Sequence, residues 1–269
     1  MIRNTKIPRS VDIVVLSDVH LGTYGCHAQE LAEYLESIDP ELLILNGDIV
    51  DMWQFSKRYW PVAHTRVLEL LLKKATGGTK VYYLTGNHDD PLRTYSPFCM
   101  GDFSIRDKLV LEIDGMKAWF FHGDVLDSVV LKAKWLARMG GLGYDLLILI
   151  NRFANCFLVR LGRPRLSLSK RVKAGVKRAM DHVNKFEDTI AELAREEGFD
   201  WVFCGHIHEP QIKSIGSSKQ GGCITYFNSG DWVENLTSLE YSNKEWSIYK
   251  HDLDADQSSF TGLYKTAGL

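Results

Sequence analysis

The feature that most constrains this chain is a set of five short blocks rich in Asp, Asn and His, each of which follows an apolar run with β-branched or aromatic residues. The blocks are Asp18-Val19-His20, Gly47-Asp48, Gly86-Asn87-His88-Asp89, His122-Gly123-Asp124 and Gly205-His206-Ile207-His208. The runs before them are Val11–Leu16, Leu42–Leu45, Lys80–Leu84, Ala118–Phe121 and Trp201–Cys204. A strand delivers the residues that follow it to one end of a sheet, and in open α/β sheets that end carries the ligand site. The pattern therefore predicts five strand ends that share one site.

The side chains in these blocks are of the kinds that bind transition metals. Asp18 and His20 are two residues apart, so in an extended chain both point the same way, and His206 and His208 repeat that spacing. A mixed set of imidazole nitrogens and carboxylate oxygens suits Mn, Fe or Zn better than Ca, and the lack of cysteine argues against a structural zinc knot. A single such histidine would indicate a hydrogen-bonded core residue, whereas the ordered set indicates metal chemistry. The expected ligands are Asp18, His20, Asp48, Asn87, His122, His206 and His208.

In their order along the chain, these motifs resemble those of the calcineurin-like metallophosphoesterases, from about Val11 to Asp231. The resemblance implies two divalent ions, with Mn favoured and Fe or Zn as alternatives. It implies that one ion binds Asp18, His20, Asp48 and His208, and the other binds Asp48, Asn87, His122 and His206. It also implies a catalytic role for His88 at the phosphate, with Asp89 orienting its ring. Two such ions share a hydroxide that attacks phosphorus in line.

Within that superfamily the chain is most similar to the UDP-2,3-diacylglucosamine diphosphatases of lipid A biosynthesis. This narrower resemblance rests on Ser17–Gly22, Gly47–Trp53 and the insertion after His122-Gly123-Asp124. It implies cleavage of the pyrophosphate in UDP-2,3-diacylglucosamine to UMP and 2,3-diacylglucosamine 1-phosphate. The chain departs at His88 from the best-characterised branch of that family, which carries Arg there in a Gly-Asn-Arg-Asp block. A phosphodiesterase or phosphomonoesterase for another anionic lipid or nucleotide therefore stays open.

The order of strand and helix patterns predicts the fold. Strands and helices alternate in the first half, which favours parallel βαβ units, and strands dominate after His208. The Asp114-Gly115 pair between two apolar runs predicts a hairpin. We therefore expect an α/β fold, more closely an α+β four-layer sandwich of two mixed β-sheets flanked by helices. The predicted core comprises residues 1–124 and 200–269, and residues 125–199 form a helical insertion that caps the active site.

The insertion is rich in positive charge. Its stretch from Asn151 to Met180 contains nine Lys or Arg residues and no Asp or Glu, with Leu, Phe and Val between them. This pattern indicates an anionic amphiphilic ligand or an anionic membrane surface, while a solvated basic face on ordinary core helices is the alternative. The residues expected to bind substrate are Arg163, Lys170, Arg171 and Lys173, with Trp53 at the pocket rim.

Composition narrows the function further. The net charge of −2 predicts no general affinity for nucleic acid, so a nuclease is a minor alternative. A catalytically inactive scaffold is disfavoured because all seven predicted ligands are present.

Five scattered cysteines with no Cys-x-x-Cys pair indicate free thiols in a reducing compartment. We find no secretory signal and no stretch of ~20 apolar residues, and we expect a cytoplasmic protein in peripheral contact with the cytoplasmic face of the inner membrane.

Overall fold

The computed structural model describes residues 7–53, 59–126, 186–216 and 222–253. The chain divides into two compact units, one made of Met1–Gly123 with Leu193–Leu269 and the other of Asp124–Glu192. Most of the predicted cap lies outside the described residues, as do Arg163, Lys170, Arg171 and Lys173. The cap and its four substrate-binding residues therefore stay predictions.

Seven strands form the first sheet. In spatial order they are β12 (Glu245–Lys250), β11 (Thr237–Ser242), β1 (Arg9–Leu16), β2 (Ile38–Asn46), β3 (Lys80–Leu84), β5 (Phe103–Arg106) and β4 (Phe98–Met100). Strands β1, β2, β3 and β5 run parallel, while β11, β12 and β4 pair antiparallel at the two sides. The first half of the chain thus has the βαβ connections that its strand and helix rhythm predicts.

Five strands form the second sheet. In spatial order they are β6 (Lys108–Ile113), β7 (Met116–Phe121), β8 (Trp201–Cys204), β10 (Ile224–Asn228) and β9 (Gln211–Ile215). Strands β7, β8 and β10 are parallel, and β6 and β9 are antiparallel to their neighbours. The predicted hairpin turn joins β6 to β7, with positive φ at both Asp114 and Gly115. The prediction of two mixed sheets flanked by helices is confirmed.

Two hydrophobic cores follow from the alternation of side chains along the strands. On β2, Leu43 and Leu45 belong to a core that also contains Leu35 of helix α1 (Ala28–Ser37). The intervening Ile44 belongs to a second core, which joins the two sheets and includes Phe203 of β8. Helix α2 (Val62–Thr76) packs beside α1 on the first core, and residues 186–196 are also helical. The first sheet is therefore covered on both faces.

The strand pair β4 and β5 was not predicted from the sequence. All three residues of β4 are exposed, so the strand shows no alternation of apolar and polar side chains. Its pairing with β5 through Phe98 and Ile105 depends on tertiary contacts that the sequence pattern does not display. None of the helices in the described ranges is long and apolar enough to cross a bilayer.

Candidate metal centre

The predicted ligands come from both sheets, just beyond the carboxyl ends of β1, β2, β3, β7 and β8. The loops after β1 and β2 are joined by hydrogen bonds between their backbones. The amides of Val19 and His20 both donate to the carbonyl of Asp48, at 3.0 and 2.9 Å, and the amide of Leu21 donates to the carbonyl of Ile49 at 2.9 Å. Two ligand-bearing loops therefore form one hydrogen-bonded unit.

The backbone at five of these ligands is left-handed, which corrects our expectation of an extended chain. The φ angles are 53° at Asp18, 55° at His20, 56° at Asp48, 67° at His206 and 57° at His208. Few non-glycine residues adopt positive φ, and such residues concentrate at functional sites where the surrounding structure holds them. The paired ligands are therefore directed by tight turns, because the strands have already ended.

The turns bring the ligand atoms together in three overlapping groups. Within each group the candidate ligand atoms lie within 4.8 Å of one another. The groups are Asp18 with His20 and His208, Asp48 with His122 and His206, and His20 with Asp48 and His88. The predicted convergence of these side chains is thus present in the structure, and the assignment of each residue to a particular ion stays a prediction.

Close backbone approach at this site requires glycine, as Gly86 and Gly47 show. A Cβ atom on Gly86 would overlap the carboxylate and amide of Asp48 and the ring of His122. At Gly47, where φ is +85°, a Cβ would overlap the ring of His122. A side chain at either position would displace a predicted ligand, so these glycines let the loops meet.

The hydrogen bonds of two imidazoles fix which nitrogen can bind an ion. Nδ1 of His122 lies 2.9 Å from the carbonyl of Asn46, and because a carbonyl only accepts, Nδ1 carries the proton. Nδ1 of His20 likewise faces Oδ2 of Asp51 at 3.2 Å. Such contacts orient a metal-binding histidine and leave Nε2 with its lone pair.

The centre also contains buried polar atoms that a cation would satisfy. Within the described ranges, Nε2 of His20 and Oδ1 of Asn87 are buried and have no hydrogen-bond partner. Buried polar atoms are rarely left in this state. Both atoms can donate a lone pair, and together with the carboxylates of the centre they make up the donor set of a divalent metal site. The residues therefore fit the metal ions that the sequence predicts.

The carboxylates of the centre are held in the ionised form. Burial raises the pKa of Asp18, but the neighbouring His208, His122 and His20 outweigh burial and hold the pKa well below its ordinary value. Burial likewise opposes ionisation of Asp48, yet His122 lowers the pKa of that carboxyl to about 2. The amide of His206 also donates to Asp18, and the amide of His88 to Asp48. Both carboxylates are thus available as anionic ligands.

The expectation that Asp89 orients the ring of His88 is wrong. One oxygen of Asp89 accepts from the amide of Gly86, and the other accepts from the amide of Ile49 and the hydroxyl of Tyr83. Asp89 therefore ties together the turns after β2 and β3. It points away from the neighbouring ring because adjacent residues in a turn do not share a direction.

Asp51 is the carboxylate that the structure places beside His88. Its Oδ2 lies 2.8 Å from Nδ1 of His88, an ion-pair contact outside hydrogen-bond alignment, and the residue is only 1% exposed. Asp51 is therefore a buried residue of the centre. Trp53 does lie near the surface, at 58% exposure, with its ring centroid 5.0 Å from that of His88. Its role in substrate binding stays a prediction.

The segment after β10 also returns to the centre. Oγ of Ser229 lies 2.7 Å from Oγ of Ser17, and the amide of Trp232 donates to the carbonyl of Asp18. Oδ2 of Asp231, a fully buried residue, lies 3.7 Å from Nδ1 of His208. The signal in the sequence was the polar run Asn228-Ser229-Gly230-Asp231 directly after a strand.

A sandwich of two mixed sheets with carboxylates and imidazoles gathered at one edge is the architecture of a metal-dependent hydrolase. The family model for calcineurin-like phosphoesterases matches residues 11–210, which is more than half of the 269 residues. The chain therefore belongs to the calcineurin-like phosphoesterase family, and it is a hydrolase of the metallophosphoesterase class. Members of this family bind divalent metals, in agreement with the ligand groups described above.

Curated relatives match nearly the whole chain at low identity. The UDP-2,3-diacylglucosamine hydrolase of Aliivibrio fischeri is 26% identical over 261 residues, which cover 89% of this chain and 98% of the relative. The protein of the same name from Pseudomonas fluorescens is 22% identical over 258 residues, covering 93% and 99%. Among solved structures, an archaeal phosphodiesterase is similar with a TM-score of 0.44 and 16% identity, covering 88% of this chain and 98% of its own.

Proposed function

We propose that this chain hydrolyses the pyrophosphate bond of UDP-2,3-diacylglucosamine, releasing UMP and 2,3-diacylglucosamine 1-phosphate. The observation that carries the chemistry is the set of three overlapping groups of Asp and His ligand atoms, each within 4.8 Å. The near-complete coverage of relatives that bear this enzyme's name supports the choice of substrate.

We propose two divalent ions, with Mn favoured over Fe and Zn. The first would bind Asp18, His20, Asp48 and His208, and the second Asp48, Asn87, His122 and His206. Among the described residues, Nε2 of His20 and Oδ1 of Asn87 are buried without a hydrogen-bond partner. This supports His20 as a ligand of the first ion and Asn87 as a ligand of the second. A metal pair supplies Lewis acidity for the phosphoryl oxygens and lowers the pKa of water.

The residues around the ions would bind and orient the diphosphate. His88 belongs to a ligand group with His20 and Asp48, and it is within reach of a phosphate held there. Its imidazole can donate a hydrogen bond to a phosphoryl oxygen or a proton to the leaving oxygen. The carboxylate of Asp51, 2.8 Å from Nδ1, would help to orient the ring for either role. Asp89 would contribute indirectly, by holding the turn that carries Asn87 and His88.

The lipid part of the substrate would be recognised outside the metal groups. We propose that Arg163, Lys170, Arg171 and Lys173 of the predicted cap contact the anionic groups, and that Leu and Phe residues between the charges contact the acyl chains. Trp53, exposed and adjacent to His88, would form part of the rim. A basic, apolar stretch also supports peripheral contact with an anionic inner membrane from the cytoplasm, and nucleic acid is not an expected partner.

One observation favours a second candidate. This chain has His88 where the resembling diphosphatases carry Arg, and the two side chains differ in charge and reach. A guanidinium binds a phosphate with two parallel hydrogen bonds, while an imidazole makes one and can transfer a proton. His88 therefore also fits a phosphodiesterase or phosphomonoesterase for another anionic lipid or nucleotide, and less well a nuclease.

The test is Mn-dependent hydrolysis of UDP-2,3-diacylglucosamine, UDP-glucose and bis(p-nitrophenyl) phosphate by the same preparation. The readouts are UMP release for the first two substrates and p-nitrophenol release for the third. Fast UMP release from the acylated sugar alone would support the proposal. Activity on the generic diester alone would keep the phosphoesterase and reject the lipid substrate. A preparation inactive on all three, with and without Mn, would contradict both.

A further inference from the structure

Helix α2 contacts the loop that bears His20 through one buried hydrogen bond. The amide of Gly22 donates to Nδ1 of His64 over 2.9 Å, and His64 is 2% exposed. His64 lies in the first turn of α2, and no motif in the sequence singled it out. The bond joins a helix of the outer layer to a backbone position two residues from a predicted metal ligand.

That loop needs an external contact because its backbone is strained. Asp18 and His20 have φ angles of 53° and 55°, and Gly22 has a φ of 102°. Left-handed non-glycine residues are strained and persist only when surrounding contacts fix them. The amide ladder to the loop after β2 holds Val19, His20 and Leu21. The amide of Gly22 comes next along the chain, and it donates to His64 instead of to that loop.

The state of the His64 ring is set by its surroundings. Because the amide of Gly22 is a donor, Nδ1 of His64 must be unprotonated. Burial lowers the pKa of His64, which favours this neutral ring at neutral pH. The rings of Tyr59 and Trp60 meet His64 edge-on, with centroids 5.8 and 5.3 Å away. These contacts restrict the ring rotation that would remove Nδ1 from Gly22.

We propose that His64 is a positioning residue that aims His20 at its metal ion. It holds Gly22, and the next residue, Thr23, donates from both its amide and its hydroxyl to the carbonyl of His20, at 3.2 and 2.9 Å. The peptide on the carboxyl side of His20 is thus fixed between His64 and this turn, and Oδ2 of Asp51 holds Nδ1 of the ring. With the peptide and the ring both held, the lone pair on the buried Nε2 of His20 points in one fixed direction. The inference rests on the proposed metal centre.

The experiment is calorimetric titration of the metal-free full chain with Mn. His64→Ala removes the acceptor, while His64→Asn keeps an acceptor oxygen close to the position of Nδ1. Val67→Ala, a fully buried residue on the same helix, is the control for lost packing. We expect His64→Ala to weaken one of the two Mn sites about tenfold, the lower end of the effect of removing a partner of a metal ligand. His64→Asn should restore most of that affinity, and Val67→Ala should lower Tm with both affinities kept.

A double-mutant cycle tests that the effect passes through His20. In a His20→Ala background, His64→Ala should cause no further loss of Mn affinity, because its target is already absent. An undiminished loss in that background, or equal weakening by His64→Ala and His64→Asn, would overturn the inference. If the unmodified chain binds two Mn ions and His64→Ala binds them equally well, only the inference fails. If the unmodified chain binds no Mn, the proposed metal centre fails and the inference fails with it.

Discussion

Oδ2 of Asp51 lies 2.8 Å from Nδ1 of His88, beneath the surface and beside the grouped metal ligands. The same oxygen is 3.2 Å from Nδ1 of His20. One buried carboxylate therefore contacts two imidazoles that have different predicted tasks, one at an ion and one at the phosphate. Its position links the orientation of a predicted ligand, His20, to that of a predicted catalytic group, His88.

Replacing Asp51 with Asn should affect both metal binding through His20 and turnover through His88. We expect kcat to fall and Mn affinity to weaken, each by about 10–100-fold, because a neutral amide removes the negative charge beside both Nδ1 atoms and holds the two rings less firmly. Steady-state kinetics and Mn titration measure the two effects. Asp90→Asn, an exposed carboxylate nearby in the chain, is the matched control and should behave as the unmodified protein. An Asp51→Asn variant with both parameters within twofold of normal would remove the residue from the mechanism.

Asp48→Asn should abolish most turnover in a protein that remains folded. The Asp48 carboxylate stands between the ligand groups of the two proposed ions, and its pKa of about 2 keeps it charged. Removing that charge weakens both ions at once, so we expect kcat to fall at least about a hundredfold. The amide still provides Oδ1 to the amide of His88, so circular dichroism should stay unchanged. Near-normal activity would contradict the bridging role.

Gly86→Ala should disrupt the metal centre by steric overlap alone. The added Cβ would overlap the Asp48 carboxylate and backbone and the His122 ring, and such overpacking costs about 1–3 kcal/mol of stability. We expect a lower Tm together with weakened Mn binding. The control is Gly25→Ala, whose Cβ would meet only Cγ1 of Val233, at 3.1 Å. Equal Mn affinity in the two variants would show that the loops can separate without loss of the site.

Neutralising Arg163, Lys170 and Arg171 to Gln tests the predicted cap. We expect KM to rise for UDP-2,3-diacylglucosamine far more than for bis(p-nitrophenyl) phosphate, since only the first substrate extends beyond the metal ions. The kcat for the small diester should stay within about twofold, because these residues have no predicted contact with the reacting phosphate. Equal changes for both substrates would mean that the basic stretch does not recognise the lipid.

The cysteines should separate into two reactivity classes. Burial raises the pKa of the Cys204 thiol well above its usual value, and burial with the charge of Glu30 raises that of Cys26 to about 12. Cys99 and Cys223 are exposed free thiols. Brief alkylation of the native protein, followed by peptide mass spectrometry, should modify Cys99 and Cys223 and spare the buried Cys204 and the half-buried Cys26, because the thiolate is the reactive form. Labelling of Cys204 at the rate of Cys99 would indicate local opening of β8.

The sequence predicted the buried, apolar strands to within a few residues, and it missed the pair β4 and β5. Runs such as Lys80–Leu84 and Trp201–Cys204 were placed to the residue, because an apolar run bounded by a polar turn has few other structures available. Strand β4, with every residue exposed, carries no such signal. It exists because β5 offers it a partner, and pairing between strands is not a local property of either one.

For the metal centre, the sequence predicted which residues gather there better than it predicted which side chains contact each other. Asp18, His20 and Asp48 were recognisable because residue type and position after a strand suffice to bring them to the sheet edge. The partner of His88 was assigned to Asp89 by adjacency, whereas the structure uses Asp51, which shares no local turn with it. The left-handed backbone at the ligands was also unpredicted, because Asp and His are compatible with several turn conformations.

The ligand positions also have a consequence for handling the protein. Asp18, His20, Asp48 and Asn87 follow strands of one sheet, and His122, His206 and His208 follow strands of the other. An ion that binds residues from both sheets acts as a removable cross-link between them, and its affinity adds to the free energy of unfolding. Purification through a chelating step would then remove the ions and lower the stability of the fold. The temperature at which a stored sample aggregates would therefore report the fraction of the protein that has regained its metal ions.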